Sequence, residues 1–266
     1  MPFKFLSAAS GSSGNCYILR TEETAVLIDV GTTGKRIIEG LSEMGLTPED
    51  VDGILVTHEH TDHVKSLKMI GKKASSARIY GSSETLHAVR ETAPEERFFE
   101  VEPGAAFAVG DMKIRAFSLS HDAAGPLGYS VASGDKMCTV VTDTGCITEE
   151  MFGYIRESDL LVLEANHEVN VLMMGSYPYY LKQRIVGDKG HISNETAGST
   201  LCRMLRERRN GNTPKVILAH LSRENNTPEQ AFLTVKNMLF EEDFLVGRDL
   251  FLDVAKRDQV GHIIEI

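Results

Sequence analysis

Thr57-His58-Glu59-His60-Thr61-Asp62-His63 concentrates the chemistry-bearing residues of this chain, with three histidines and an aspartate inside six positions. Imidazole and carboxylate are the ligands that zinc, manganese or iron take from a protein, and the stretch contains no thiolate. His58 and His60 share a side of an extended chain because side chains alternate with period two. Asp62 and His63 can turn to a neighbouring point, so one loop can serve two metal ions held close together. A solvated polar loop is the bland alternative. It accounts for one isolated histidine far better than for three at this spacing.

The loop needs a rigid support, and the chain supplies one. Gly53-Ile54-Leu55-Val56 is a short apolar run that reads as a buried strand, so the histidines leave a strand's carboxyl end. Four further polar residues end strand-like runs. Asp29 closes Ala25-Val26-Leu27-Ile28. His121 follows Ile114–Ser120, Asp143 follows Cys138–Thr142, and His220 follows Val216-Ile217-Leu218-Ala219. Taken singly, each reads as a turn residue.

Other elements alternate around these. Residues 3–7 and 16–20 read as strands joined by Ser10-Gly11-Ser12-Ser13-Gly14-Asn15, which lacks the Gly-Lys-Ser/Thr ending of a P-loop and reads as a flexible connection. Thr33 is a candidate cap for a helix over 34–44, with Ile37, Ile38, Leu41 and Met44 on its apolar face. Helices are expected over 64–71, 83–91, 195–209 and 228–241, and another begins at Thr148. Strands are expected at 78–81, 98–101, 106–109, 112–119, 127–132, 137–142, 160–163, 215–219, 250–254 and 260–265. There is no internal repeat or low-complexity tract. The pattern suits two sheets packed face to face with helices outside.

The 266 residues, 42% hydrophobic and 25% charged, suit one large domain spanning 1–266. No signal peptide or membrane-length apolar run is visible. The four scattered cysteines read as reduced thiols in a cytoplasmic protein. A net charge of −10 argues against a generally basic nucleic-acid binder, although a local basic patch can still meet phosphate.

The His-x-His-x-Asp-His loop, followed in order by His121, Asp143 and His220 and preceded by Asp29, resembles the metallo-β-lactamase fold superfamily. That resemblance implies an α/β fold, a four-layer αββα sandwich of two mixed sheets. It implies two divalent metal ions, zinc foremost, with manganese or iron as alternatives. His58, His60 and His121 would hold the first ion, and Asp62, His63 and His220 the second. Asp143 would bridge them, and Asp29 would support the histidine loop by hydrogen bonding. A hydroxide between the ions would be the nucleophile, with Asp62 also at the catalytic position.

Three further segments narrow the resemblance. They are Ser10–Cys16, Leu163–Glu168 and Tyr177–Arg184 running into Gly190-His191-Ile192-Ser193-Asn194. They are similar to the YycJ/WalJ-type family of exonuclease-like proteins, related to tRNase Z and RNase J nucleases, whose substrate is DNA. The chain has no room for the inserted domain of RNase J-type enzymes, and no tRNA-gripping arm is apparent. The resemblance makes His191 a non-ligand catalytic residue near the scissile phosphate. It nominates Arg184, Ser193, Asn194, Arg223 and Asn225 for substrate contact.

Lys182, Arg184 and Lys189 form a short basic stretch, and Arg203, Arg206, Arg208 and Arg209 lie at helical spacings. For the latter, phosphate contact competes with a solvated helix face. Tyr177, Tyr179 and Tyr180 suit either base stacking or packing. Asn194 is a candidate cap for the following helix. His167 has no ligand slot and is assigned a structural or substrate-side role. A small-molecule hydrolase, a thioesterase or lactonase on the same metals, is the alternative enzyme class. A binding module that keeps metal for stability is the third.

Overall fold

The computed structural model describes residues 3–209 and 211–266. The chain divides into two compact units. The first runs up to Ser118 and adds Ala123–Lys136 and Lys256–Ile266; the second comprises Leu119–Asp122 and Met137–Ala255.

The first unit contains β1 (Lys4–Ala9), β2 (Cys16–Arg20), β3 (Ala25–Ile28), α1 (Gly34–Glu43), β4 (Gly53–Leu55), α2 (Thr61–Val64), α3 (Leu67–Lys73), β5 (Arg78–Gly81), α4 (Ser83–Val89), β6 (Phe98–Glu100), β7 (Ala106–Val109), β8 (Met112–Ser118) and β9 (Leu127–Ser133). The second contains β10 (Lys136–Val141), α5 (Glu149–Glu157), β11 (Leu160–Glu164), α6 (Val169–Met174), α7 (Tyr179–Val186), α8 (Asn194–Glu207), β12 (Lys215–Ala219), α9 (Pro228–Glu241) and β13 (Phe251–Val254). β14 (Ile264–Glu265) returns to the first.

In the first unit a mixed sheet runs β14-β1-β2-β3-β4-β5-β6. Its first half is antiparallel, and β3 through β6 pair in parallel. β3 and β4 are buried along their whole length, which is why they are continuous apolar runs without polar alternation. Ile37 and Leu41 from α1 and Leu67 and Ile70 from α3 join Leu6, Ile18, Leu27, Ile54 and Ile79 of the sheet in one core. Fully burying each such side chain is worth about 1.5–3 kcal/mol.

The antiparallel β7-β8-β9 meander belongs to the same unit. Phe107 stacks on Tyr80 with ring centroids 4.8 Å apart. The Tyr129 hydroxyl donates to the Val56 carbonyl at 2.8 Å, and Leu127 N–H donates to the Thr57 carbonyl at 2.9 Å. These bonds fix the chain immediately ahead of His58.

In the second unit β10, β11, β12 and β13 pair in parallel, so the loops after β10, β11 and β12 leave on the same edge. Side-chain caps start three of its helices: Thr148 accepts from Met151 N, Ser193 from Thr196 N and Thr227 from Gln230 N.

Several expectations need correction. The helix expected over 64–71 is two pieces, and the first of them already contains His63. Ser66 breaks it, donating from N to the Val30 carbonyl at 2.9 Å and from its hydroxyl to the Thr32 carbonyl at 2.6 Å. Ser193, not Asn194, caps α8. Thr33 occupies the cap position of α1 but makes no side-chain capping bond. The last strand pairs only over Ile264–Glu265. No helix among the described residues is long and apolar enough to cross a membrane.

Candidate metal centre

In the first unit the histidine loop is held from below by a buried carboxylate. Asp29 accepts from Thr57 N and from the Thr57 hydroxyl, both at 2.8 Å, and from His63 Nδ1 at 2.7 Å. Fixing Nδ1 as the protonated nitrogen leaves the His63 lone pair on Nε2, the way metal-bound imidazoles are usually oriented. The His58 ring lies 4.5 Å from that of His60 and 4.1 Å from that of His63, and His63 Nε2 lies 3.6 Å from an Asp62 oxygen. The loop therefore gathers all four of its candidate ligands.

The glycine-serine loop is a brace, not a flexible connection. Asn15 N donates to the Asp62 carbonyl at 2.8 Å, Asn15 Nδ2 donates to the same oxygen at 3.3 Å, and Gly31 N donates to the Asn15 carbonyl at 2.8 Å. A Cβ on Gly31 would stand 1.7 Å from the Asp62 carbonyl oxygen, so only glycine lets the two segments meet.

In the second unit Asp143, Glu164, His191 and His220 each place one ligand atom within 4.8 Å of the others. Asp143 Oδ1 is 3.5 Å from His220 Nε2 and 3.8 Å from His121 Nε2. Ligands at about 2.1 Å on one tetrahedral ion stand about 3.4 Å apart, so these separations suit donors sharing a cation. His121 Nδ1 donates to the Gly190 carbonyl at 3.2 Å, and His220 Nδ1 donates to Glu164 at 2.8 Å. Both rings are thus oriented as His63 is. The donor sets of both units fit divalent metal.

Asp29, Asp143 and His220 share a backbone state. Their φ angles are 59°, 62° and 53°, in the left-handed region where non-glycine residues are uncommon. All three stand at or just past the carboxyl end of a strand. Each costs on the order of 1–3 kcal/mol, a strain typical of functional sites.

Glu164 joins this cluster without having stood out in the sequence as a site residue. It is fully buried at the end of β11, and its Oε1 accepts from His191 Nδ1 and His220 Nδ1, both at 2.8 Å. Burial by itself would raise its pKa. The charge and hydrogen bond of His191, and those of His220, outweigh burial and hold the carboxyl well below the usual range. For His191, burial opposes the charged form, but the charge and hydrogen bond of Glu164 and the charge of Asp143 raise its pKa above the ordinary value. For His121 burial wins over Asp143, and its pKa falls. The available signal for Glu164 was an acid directly after four apolar strand residues, at the same edge of the sheet as Asp143 and His220 and one register position before them.

The nominated substrate residues separate. Arg184 and Arg223 are exposed. Asn194 is fully buried, donating to Glu168 at 3.0 Å and Asn226 at 3.1 Å. Asn225 is buried against the Ser222 hydroxyl, and the Ser193 hydroxyl caps α8. These three serve the scaffold, which corrects their nomination as contacts.

The arginines of α8 are likewise engaged. Arg203 holds Glu149 and Glu207, Arg206 pairs with Glu242, and Arg208 donates to the carbonyls of Arg156 and Ser158. His167 is buried and pairs through its backbone with Ser193; burial pushes its pKa down to about 4, so its ring is neutral. Burial also pushes the Cys16 and Cys138 thiols up, which keeps them inert.

Residues 24–220 match the beta-lactamase superfamily domain, and the chain belongs to that superfamily. It has the fold of that class. A metallo-β-lactamase fold protein from Bacillus subtilis, YhfI, superposes with a TM-score of 0.74 over 100% of both chains at 15% identity. Within the superfamily the chain groups with two bacterial relatives. Exodeoxyribonuclease WalJ of Streptococcus pneumoniae is 37% identical over 99% of this chain and 98% of its own. Exodeoxyribonuclease YycJ of Bacillus anthracis is 36% identical, with 93% of each chain covered.

Proposed function

We propose that this protein is a two-metal phosphodiesterase that shortens DNA from an end, an exodeoxyribonuclease acting in the cytoplasm as one domain over 1–266. The observation that carries this reading is the buried Glu164 joined to His191 beside Asp143 and His220. That pair favours the protonated form of His191 next to metal-binding donors, where a phosphodiester's developing charge needs a cation and its leaving oxygen needs a proton. The full-length similarity to two exodeoxyribonucleases supports DNA as the substrate.

In this reading His58, His60 and His121 would hold one ion, Asp62, His63 and His220 would hold the other, and Asp143 would serve both. Zinc is the first choice of metal, with manganese and iron as alternatives. When bound, the ions supply Lewis acidity and an activated water. The chain's own residues do the rest. Asp29, Glu164 and the Gly190 carbonyl orient His63, His220 and His121 through Nδ1. Asp62 steers the nucleophile. His191 holds a proton at Nε2 while Nδ1 stays bonded to Glu164. Exposed Arg223 meets a phosphate flanking the cut, and Arg184 does so by exchanging its Asp122 partner for the phosphate.

The test is purified protein with zinc, manganese or iron on end-labelled linear DNA, on bis-p-nitrophenyl phosphate and on a thioester panel. Metal-dependent loss of nucleotides from DNA is expected. Thioester cleavage with no DNA turnover under any metal would place the protein among small-molecule hydrolases instead.

A further inference from the structure

We propose that Tyr179 and Tyr180 form a stacking platform for the unpaired bases of the strand being cut; this rests on the nuclease reading above. Both rings face water, 71% and 74% exposed, on a helix that buries none of its residues. Packing in the core, one reading of these tyrosines from sequence, is therefore ruled out. Tyr179 and Tyr180 occupy successive positions of the helix and so present two separate exposed rings, without a ring-stacking partner among the described residues; Met174, 86% exposed, ends the preceding helix.

α7 is fastened by its flanks. Lys182 Nζ donates to the carbonyls of Met173 and Gly175 at 2.8 and 2.7 Å, and Arg184 Nε donates to Asp122 at 2.6 Å. Beyond the helix, His191 N donates to the Ile185 carbonyl at 2.8 Å, and the Ser120 hydroxyl donates to the Asp188 carbonyl at 2.7 Å. Asp122, which receives Arg184, lies 3.6 Å from His121 Nε2. These bonds tie α7 to the loops that carry His121 and His191.

Direction follows from helix geometry. Tyr180 and Arg184 are four residues apart and share a face. That face starts at an aromatic ring and ends at a guanidinium paired with Asp122, the neighbour of His121 in the chain. From Tyr180 to Ile185 the helix rises about 7.5 Å, at about 1.5 Å per residue. This is roughly the length of two stacked nucleotides at about 3.4 Å each. With Arg184 paired to Asp122, Lys182 and Lys189 still outnumber Asp188 along the segment, a small local positive balance in a chain of net charge −10.

Aromatic rings followed by cations suit single-stranded nucleic acid, in which every base has a free face. Paired bases are already stacked on both faces. The platform therefore selects a frayed or single-stranded end and holds it one or two nucleotides from His191.

The test is fluorescence anisotropy with a labelled, phosphorothioate-linked single-stranded 12-mer. It compares wild type, Tyr179→Ala/Tyr180→Ala and Tyr179→Trp/Tyr180→Trp, with folding checked by circular dichroism. The double alanine variant should bind roughly tenfold or more weakly, and the tryptophan variant should bind as wild type does. Abasic nucleotides in the 12-mer should weaken wild type by the same factor and leave the alanine variant unaffected. Equal affinity of wild type and the alanine variant, or an equal abasic penalty in both, overturns the platform. So does a change in sedimentation mass with unchanged oligonucleotide affinity, which would make the patch a self-contact. Binding is read without turnover, so failure of the nuclease reading shows separately, as absent hydrolysis by wild type.

Discussion

Glu164 accepts a hydrogen bond from Nδ1 of His191 at 2.8 Å, and the two residues reach each other from the end of β11 and the loop before α8. The carboxylate raises the His191 pKa against the opposing effect of burial. The stabilisation His191 gains is complete below its unfolded pKa of about 6.5 and fades as pH rises through the higher folded value. If protonated His191 assists departure of the leaving oxygen, turnover falls over that same rise. Glu164→Gln removes the charge, so the falling limb of the kcat profile should move to lower pH. An unmoved limb would separate His191 from Glu164 in catalysis.

His191→Ala should keep its fold and both metals while losing on the order of a hundredfold in kcat, the usual scale for a positioned acid. Melting temperature, metal analysis and steady-state kinetics check this together. Near-normal turnover would leave His191 a packing role only.

Asp29→Ala should lower the melting temperature and weaken metal retention. It strips three buried donors, Thr57 N, the Thr57 hydroxyl and His63 Nδ1, of their shared acceptor. Each buried group left without a partner costs about 1–3 kcal/mol. Thermal unfolding and metal analysis give the readout, and no change in either would contradict the orienting role.

Asn194→Ala should destabilise the protein by about 1–3 kcal/mol and leave KM for DNA unchanged, because its amide joins Glu168 to Asn226 inside the fold. Denaturant unfolding beside kinetics separates the two effects. A raised KM with unchanged stability would restore it as a substrate contact.

The histidine loop was legible in the sequence because its candidate ligands are nearly contiguous and leave one apolar strand. Asp29, Asp143 and His220 were legible as strand-end polar residues. Their left-handed backbone was not, because spacing carries no φ. Asn194 and Asn225 misled for a related reason: a polar residue in a loop reads as exposed until its partners are known. Those partners, Glu168, Asn226 and Ser222, come from segments distant along the chain or hidden by the turn. Glu164 was hidden because an acid beside an apolar run usually marks where a strand meets water. Here two histidines from remote segments, His191 and His220, compensate its burial.

Asp143→Ala should lose both metals, since the account has this carboxylate contacting each. Two full equivalents bound in the variant would contradict a shared role.

The most direct measurement strips the wild-type protein of metal and titrates zinc, manganese or iron back against linear DNA labelled at either end, with closed circular DNA alongside. Nucleotide release from linear DNA should return and saturate at two metal equivalents per chain, while circular DNA stays intact. Release that ignores metal, or saturates at one equivalent, would contradict the two-metal centre, and cutting of the circle would contradict attack from an end.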